Sequence, residues 1–118
     1  SHHDMLMIAM VARYHRRATP QAYHEGFATL SRDARLAVSK MAAILRVADA
    51  LDRNHMQQVR DVRCSREGGQ FVVGVRDVED LTLERLALKE KGSMFEEVYG
   101  LKVAFRTEGS TEGLIPDV

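Results

Sequence analysis

One apolar helical segment most constrains how this chain folds: it runs from Met41 to His55 and reads MAAILRVADALDRNH. The helix is predicted to begin after Ser31, whose hydroxyl suits an N-cap, and to end near Asn54. Apolar side chains cover most of the circumference of its middle: Leu36, Val38, Met41, Ala42, Ile44, Leu45, Val47, Ala48 and Leu51. A helix that is apolar nearly all round is typically a central one, so we expect it to be buried on most sides.

A second helix is predicted upstream, from Met5 to Arg17. Its apolar residues repeat at helical spacing and predict one buried stripe, which consists of Met5, Ile8, Ala9 and Ala12, with His15 as a candidate member, and is widened by Leu6, Met10 and Tyr14. Nearly every position from 5 to 12 is apolar, so we expect more than half of this helix to be buried. A basic cluster follows, and Thr19-Pro20 ends the helix. Between the two helices, one helical turn is expected within His24–Leu30, anchored by Phe27 and Leu30.

The period of the hydrophobic pattern changes from about 3.6 to about 2 at Met56, which indicates strands after helices. The predicted order is a strand at Val59–Arg66, a turn at Gly68-Gly69, a strand at Gln70–Arg76, a helix up to Tyr99 with a kink at Gly92, and a strand at Leu101–Arg106. Gly100 is predicted to end the helix as its C′ residue. A two-stranded hairpin is marginal alone, so we expect this helix to cover it.

These patterns predict an α+β fold with a boundary near His55. Residues 1–55 form a helical part, residues 56–107 a small antiparallel sheet packed on a helix, and residues 108–118 a tail without periodicity. The chain begins with Ser1 rather than Met, and we expect it to be a fragment or a processed chain. The short His2-His3 pair leaves open a tag remnant at its start.

Charge and composition restrict the class of function. The chain has 17 Lys+Arg and 17 Asp+Glu among its 118 residues, so its net charge is zero. This balance argues against nucleic-acid or membrane binding as the main role. No apolar run reaches the roughly 18 residues that a membrane span needs. The single cysteine, Cys64, excludes an internal disulfide, and a reducing cytoplasm is the expected location.

Four residues at the end of the first helix are the candidate polyanion site: Arg13, His15, Arg16 and Arg17. Guanidinium and imidazolium groups suit phosphate oxygens, and these four residues concentrate positive charge over a short stretch. Helical spacing places Arg13 and Arg17 on one face and His15 about 200° from Arg13, so only part of the cluster can meet one ligand. A solvated helix end, whose cations complement the helix dipole, remains the alternative.

Asp49 is the second candidate, because it stands between Ala48 and Ala50, beside the apolar face of its helix. A carboxylate there is either ion-paired or directed at a phosphate-handling or metal site. Asp52 and His55 are three residues apart and are expected to form an ordinary surface pair. The residues alone predict no nucleophile, no phosphate-binding glycine loop and no complete set of metal ligands.

Three segments of the chain resemble the C-terminal region of the exopolyphosphatase/guanosine-pentaphosphate phosphatase family. They read IAMVARYHRRATP at 8–20, MAAILRVADALDRNH at 41–55 and FEEVYGLKV at 95–103. The resemblance implies the later helices of an HD-type helical domain, similar to metal-dependent phosphohydrolases, followed by a small α+β domain. Asp49 stands where the late aspartate of the HD pattern falls. His2-His3-Asp4 looks like an HD pair but lies where the family has a variable helix start, so we do not interpret it as a metal motif.

The resemblance further implies that catalysis belongs to actin-like ATPase-fold domains, which this sequence does not contain. The expected function is that of an accessory domain, which contributes to polyphosphate binding and to homodimerisation and holds no catalytic residue, metal or other cofactor of its own. Mg²⁺ and the substrate, polyphosphate or guanosine pentaphosphate, belong to the whole enzyme. Two alternatives stay open. One is a stand-alone HD-type phosphohydrolase with a metal at Asp49 and His15, and the other is a dimerisation or regulatory module without a ligand.

Overall fold

The computed structural model of the chain describes residues 1–15, 20–21, 24–52 and 61–109. Its elements in chain order are α1 (His2–Tyr14), α2 (Glu25–Ala28), α3 (Arg32–Leu51), β1 (Val62–Glu67), β2 (Gln70–Arg76), α4 (Thr82–Lys91), α5 (Ser93–Tyr99) and β3 (Lys102–Glu108). The fold is mixed α+β, as predicted, with a three-stranded sheet in the order β1-β2-β3. None of the helices within these residues is long and apolar enough to cross a membrane.

Helix α3 begins where the sequence predicts, because the Ser31 hydroxyl accepts a hydrogen bond from the Ala34 amide at 3.1 Å. Its buried face carries mostly small apolar side chains: Ala34, Val38, Ala42, Ala43, Val47 and Ala50. These let α1, α4 and α5 approach closely. The opposite face is open to solvent, with Met41, Ile44 and Leu45 between 42% and 51% exposed. The expectation of a helix buried on most sides is therefore wrong, since the other helices pack against one face of α3.

Helix α1 is buried along the residues predicted to widen its stripe rather than along the centre of that stripe. Val11 and Tyr14 are buried, and three further residues pack partly against the core: Leu6, Met7 and Met10. Met5 and Ile8, which were expected inside, are 70% and 68% exposed. The helix is apolar on both sides, so spacing alone does not choose between them. The observed side carries the aromatic ring of Tyr14, whose centroid lies 5.6 Å from that of Phe27 in an edge-to-face contact. This side is favoured because burying the ring removes more apolar area from water than burying an aliphatic side chain.

The sheet combines one antiparallel and one parallel pair. β1 and β2 form the predicted hairpin, in which Glu67 pairs with Gln70 across the turn Gly68-Gly69. β3 pairs with β2 in parallel, with Phe105 beside Val73, so the prediction of an antiparallel sheet is wrong for this pair. The connection is the reason. α4 and α5 carry the chain back to the end of the sheet from which β2 started, and a crossover of this kind produces parallel strands.

Helices α4 and α5 cover one side of the sheet, as predicted for the segment after the hairpin. Phe95 of α5 lies at the centre of this contact. Its ring centroid is 5.2 Å from that of Phe71 on β2 and 4.4 Å from that of Tyr99. The Arg85 guanidinium also donates to the Phe105 carbonyl of β3 at 3.1 Å. Aromatic packing and a side-chain hydrogen bond thus join the helices to both β2 and β3.

The apolar cluster that starts at the sheet continues through α3 to α1. Phe27 and Leu30, the predicted anchors of the short helix α2, are both buried in it. The division into 1–55, 56–107 and 108–118 stays a prediction, although β3 extends to Glu108. The predicted end of α3 at Asn54 lies outside the described residues, as does the tail after Gly109.

Gly100 ends α5 as the sequence predicts, with φ 73° in the left-handed region and its amide hydrogen-bonded to the Glu96 carbonyl at 2.8 Å. We expect Gly100→Ala to lower the free energy of unfolding by about 1 kcal/mol, because an L-residue is strained in this conformation. Gly69→Ala is the control, since its added Cβ meets no atom within 4 Å and its φ is ordinary. Urea denaturation should show that Gly69→Ala changes the free energy of unfolding by less than about 0.5 kcal/mol. Equal losses in the two variants would contradict the assignment of strain to Gly100.

Candidate functional site

The structure places part of the basic cluster that was predicted at the end of α1. Arg13 is exposed, and the central carbon of its guanidinium lies 5.3 Å from the centre of the Tyr14 ring. His15 is the C-cap residue, is half-buried, and donates from Nδ1 to a carbonyl of the preceding turn at 3.0 Å. Arg16 and Arg17 lie outside the described residues. Arg13 in the last turn of α1 and His15 at its C-cap are therefore the two of the four predicted residues that the structure describes.

The aromatic ring beside Arg13 is held by a partly buried network of hydrogen bonds. The Tyr14 hydroxyl lies 2.6 Å from Nδ1 of His24, and the two rings stack at 5.5 Å. The Gln21 amide approaches the same Nδ1 at 3.3 Å. Because a backbone N–H can only donate, Nδ1 is the acceptor, and the Tyr14 hydroxyl donates to it. This network fixes the ring that Arg13 contacts.

Arg46 is a buried cation that the sequence interpretation did not identify as important. It is only 6% exposed, and its Nε donates to the Tyr14 carbonyl at 2.7 Å, which caps the end of α1 from α3. Burial lowers the pKa of the Arg46 guanidinium from its ordinary value, and the negative charge of Glu97 opposes that shift. Helical spacing places Arg46 three residues before Asp49 on α3, which indicates a pair within one helix and not the contact with α1. The sequence did contain one indication of its importance, because Arg46 is a charged residue between Leu45 and Val47 on an apolar helix.

Asp49 forms an ion pair with Lys91, which joins α3 to α4. Of the two roles that the sequence left open for this carboxylate, the structure therefore shows ion pairing. Both side chains are partly buried, at 39% exposure for Asp49 and 23% for Lys91. Asp52 is the exposed C-cap residue of α3, and its expected partner His55 lies outside the described residues. The interpretation of Asp49 as the remnant of an HD pattern stays a prediction.

The described residues hold no group of three or more His, Cys, Asp or Glu side chains arranged to bind a metal ion. The Asp49 site itself does not suit a divalent cation, because the Lys91 ammonium already neutralises its carboxylate and would repel a second positive charge. The metal that the HD-type alternative places at Asp49 and His15 therefore does not fit Asp49 as the structure has it.

An apolar groove of about 430 Å³ runs between α1 and α3, beside the basic cluster. Ile8 of α1 and Met41 and Leu45 of α3 are among the side chains that line it. Its two polar residues lie toward opposite ends of α1, namely Asp4 near the start and His15 at the C-cap. The groove offers contact to an apolar group rather than to a phosphate chain.

A third group of charges lies on the side of the sheet that faces away from α4 and α5. The Arg106 guanidinium of β3 donates to both carboxylate oxygens of Glu67 on β1, at 3.0 and 3.1 Å. The pair therefore bridges the two edge strands across β2. The hydrogen bond from Arg106 lowers the pKa of the Glu67 carboxyl, and a second one from the Ser65 hydroxyl adds to this shift. These contacts indicate that the pair stabilises the sheet by linking its two edge strands.

Comparison with known proteins adds no assignment. No family model matches the chain, and no curated protein matches it. The resemblance carried by the segments at 8–20, 41–55 and 95–103 therefore stays a hypothesis.

Proposed function

We propose that this chain is an accessory, non-catalytic part of a protein of the exopolyphosphatase/guanosine-pentaphosphate phosphatase type. In this proposal the end of α1 contributes to polyphosphate binding. The exposed guanidinium of Arg13 carries the proposal, because it stands in the last turn of a helix that continues in sequence with Arg16 and Arg17. Arginine suits phosphate because its planar fork donates two parallel hydrogen bonds.

The negative end of a helix dipole normally disfavours an anion, and two contacts reduce this effect at α1. The ring of His15 donates to a carbonyl of the last turn, and Arg46 donates to the Tyr14 carbonyl. Both hydrogen bonds offset part of the negative charge of the carbonyl oxygens at this helix end, and Arg46 does so from the buried side. Arg13 makes neither contact, and its guanidinium extends to solvent. The helix end therefore presents a net positive group.

The ion pair between Asp49 and Lys91 supports placing hydrolysis outside this chain. Asp49 is the residue that the family resemblance aligns with the HD pattern, and its carboxylate is engaged with an ammonium group rather than open to a metal. In the proposed whole protein, cleavage of polyphosphate or of guanosine pentaphosphate, and the Mg²⁺ it uses, belong to other domains.

Arg13→Glu tests the polyanion site directly. We expect the variant to bind long-chain polyphosphate about tenfold more weakly than the unchanged chain, because a charge that attracts phosphate becomes one that repels it. Isothermal titration calorimetry at two salt concentrations measures the affinity and its salt dependence. Arg32→Glu, an exposed arginine at the start of α3, is the matched control for net charge. Equal losses in both variants would show non-specific attraction and refute the site.

A ligand-free association module is the second candidate, and the apolar groove between α1 and α3 favours it. Sedimentation with and without polyphosphate separates the two, since only a binder shifts on addition of the polymer. The remaining alternative, an HD-type phosphohydrolase, requires stoichiometric Mn, Fe or Ni on the purified chain. That metal would also have to be lost in Asp49→Asn.

A further inference from the structure

Strand β1 forms an open edge of the sheet. The Arg76 amide donates to the Asp61 carbonyl at 3.3 Å, so these two residues are a hydrogen-bonded pair that continues the β1–β2 ladder. Because hydrogen-bonded pairs alternate in an antiparallel ladder, the amides and carbonyls of Val62, Cys64 and Arg66 point away from β2. Within the residues that the structure describes, these backbone groups have no partner. A row of unpaired backbone groups is a template for a further strand.

The opposite edge of the sheet is covered. Helices α4 and α5 pack against β3, and the Arg85 guanidinium already occupies the Phe105 carbonyl. Among the described elements, β1 contacts chiefly β2. Val62 is 43% exposed, although its cross-strand neighbour Val75, which faces the same side of the sheet, is fully buried. The helical layer therefore does not extend over β1, and the edge of this strand is accessible.

The open edge carries positive charge that nothing in the described part of the chain neutralises. Arg63 and Arg66 are exposed, and the structure gives neither of them an ion pair or a side-chain hydrogen bond there. The acidic residue of β1, Glu67, is already engaged by Arg106 and by the Ser65 hydroxyl. Because side chains alternate along a strand, Arg63 and Arg66 lie on opposite faces of the sheet. A strand added at this edge would meet one guanidinium on each face.

We propose that the edge of β1 binds an extended acidic peptide segment, which joins the three-stranded sheet as a further strand. Backbone pairing with Val62, Cys64 and Arg66 supplies affinity, and carboxylates directed at Arg63 and Arg66 select the sequence. Pairing with a second copy of β1 is opposed, because it would bring the arginines of both copies together. Polyphosphate has no N–H donors with which to complete the ladder. The site is separate from the polyanion site at the end of α1.

Fluorescence anisotropy of the purified chain with a labelled peptide of alternating glutamate and valine tests this site. The control is the same peptide with all of its amides N-methylated, which keeps every carboxylate but has no backbone donor. We expect the control to bind about tenfold more weakly. Amide hydrogen exchange at Val62, Cys64 and Arg66 should slow when the unmodified peptide is bound. No saturable binding, or equal binding of the two peptides, would overturn the proposal.

A charge reversal on β1 tests the selection of acidic sequences. Arg63→Glu combined with Arg66→Glu should weaken binding of the glutamate–valine peptide about tenfold, because both guanidinium groups become carboxylates. Arg32→Glu combined with Lys89→Glu is the matched control, since it reverses two exposed cations on α3 and α4. The control should retain the affinity of the unchanged chain. A loss of the same size in the control would mean attraction by net charge alone and would refute the site.

Cys64→Pro tests backbone pairing from the side of the protein. It removes an amide that points away from β2, so it blocks the edge without breaking the β1–β2 ladder. We expect about tenfold weaker peptide binding, whereas Cys64→Ala keeps the amide and should bind normally. Circular dichroism checks the fold of both variants, and the N-methylated peptide tests the same pairing on the unchanged chain.

Two further measurements separate this edge from other roles. Sedimentation of the unchanged chain and of Cys64→Pro follows self-association, and a dimer lost in this variant would assign the edge to a second copy and overturn the proposal. Arg13→Glu should leave the affinity for the peptide unchanged, and Cys64→Pro should leave the affinity for polyphosphate unchanged. Peptide binding that is lost in Arg13→Glu and kept in Cys64→Pro would place the peptide at the end of α1 instead.

Discussion

Replacing Phe95 with alanine is expected to lower the free energy of unfolding by about 3–5 kcal/mol, the usual cost of removing a buried phenylalanine. Phe95 is 6% exposed and sits between α5 and the sheet, with Phe71 and Tyr99 as ring neighbours. Truncation removes its apolar area from the core and leaves a cavity that two aromatic rings border. Urea denaturation followed by circular dichroism measures the loss.

Leu86→Ala provides the comparison for Phe95→Ala, because this leucine is half exposed on α4. Truncation of the Leu86 side chain should change the free energy of unfolding by less than about 0.5 kcal/mol. If the two substitutions had similar effects, Phe95 would not lie in the core that joins α5 to the sheet.

Arg46→Ala is expected to have the second largest effect, a loss of about 2–3 kcal/mol. The Tyr14 carbonyl loses its donor at 2.7 Å, and the buried aliphatic stem of Arg46 leaves a space between α1 and α3. Thermal and urea unfolding should both register the change. Arg32→Ala, at an exposed position of the same helix, is expected to change stability by less than about 0.5 kcal/mol.

Arg46→Met separates the two causes, because methionine retains much of the side-chain volume without a hydrogen-bond donor. We expect it to be less damaging than Arg46→Ala, since replacing a buried charged group with an apolar one of similar shape also removes its desolvation cost. A loss in Arg46→Met as large as that in Arg46→Ala would show that the donor, rather than packing, determines the effect.

Features that depend on adjacent residues were predictable from the sequence. The Ser31 cap, the hairpin turn Gly68-Gly69 and the left-handed Gly100 each follow from one or two residue types whose local conformation is restricted. The fold class also follows from a local pattern, because the period of the hydrophobic residues changes at Met56 and separates helices from strands.

Features that depend on packing were not predictable in this way. Both sides of α1 are apolar at helical spacing, and only the contact of Tyr14 with Phe27 shows which side is buried. β3 alternates apolar and polar residues as any half-buried strand does. This pattern does not show whether β3 runs parallel or antiparallel to β2. The partner of Asp49 is Lys91, on another helix, and rules for neighbours within one helix cannot find it. The candidate polyanion residues were located by composition, and their binding role stays a prediction.

The parallel pairing of β3 with β2 has a consequence for the entropy of chain closure. The hairpin closes across Gly68 and Gly69, whereas β3 reaches β2 only after the chain has passed through residues 77–101. For a flexible chain, closing the longer loop costs about 2 kcal/mol more. Leu81 and Phe95 lie inside that loop and are buried at 0% and 6% exposure. The loop therefore contains the apolar groups whose burial offsets the cost of its own closure.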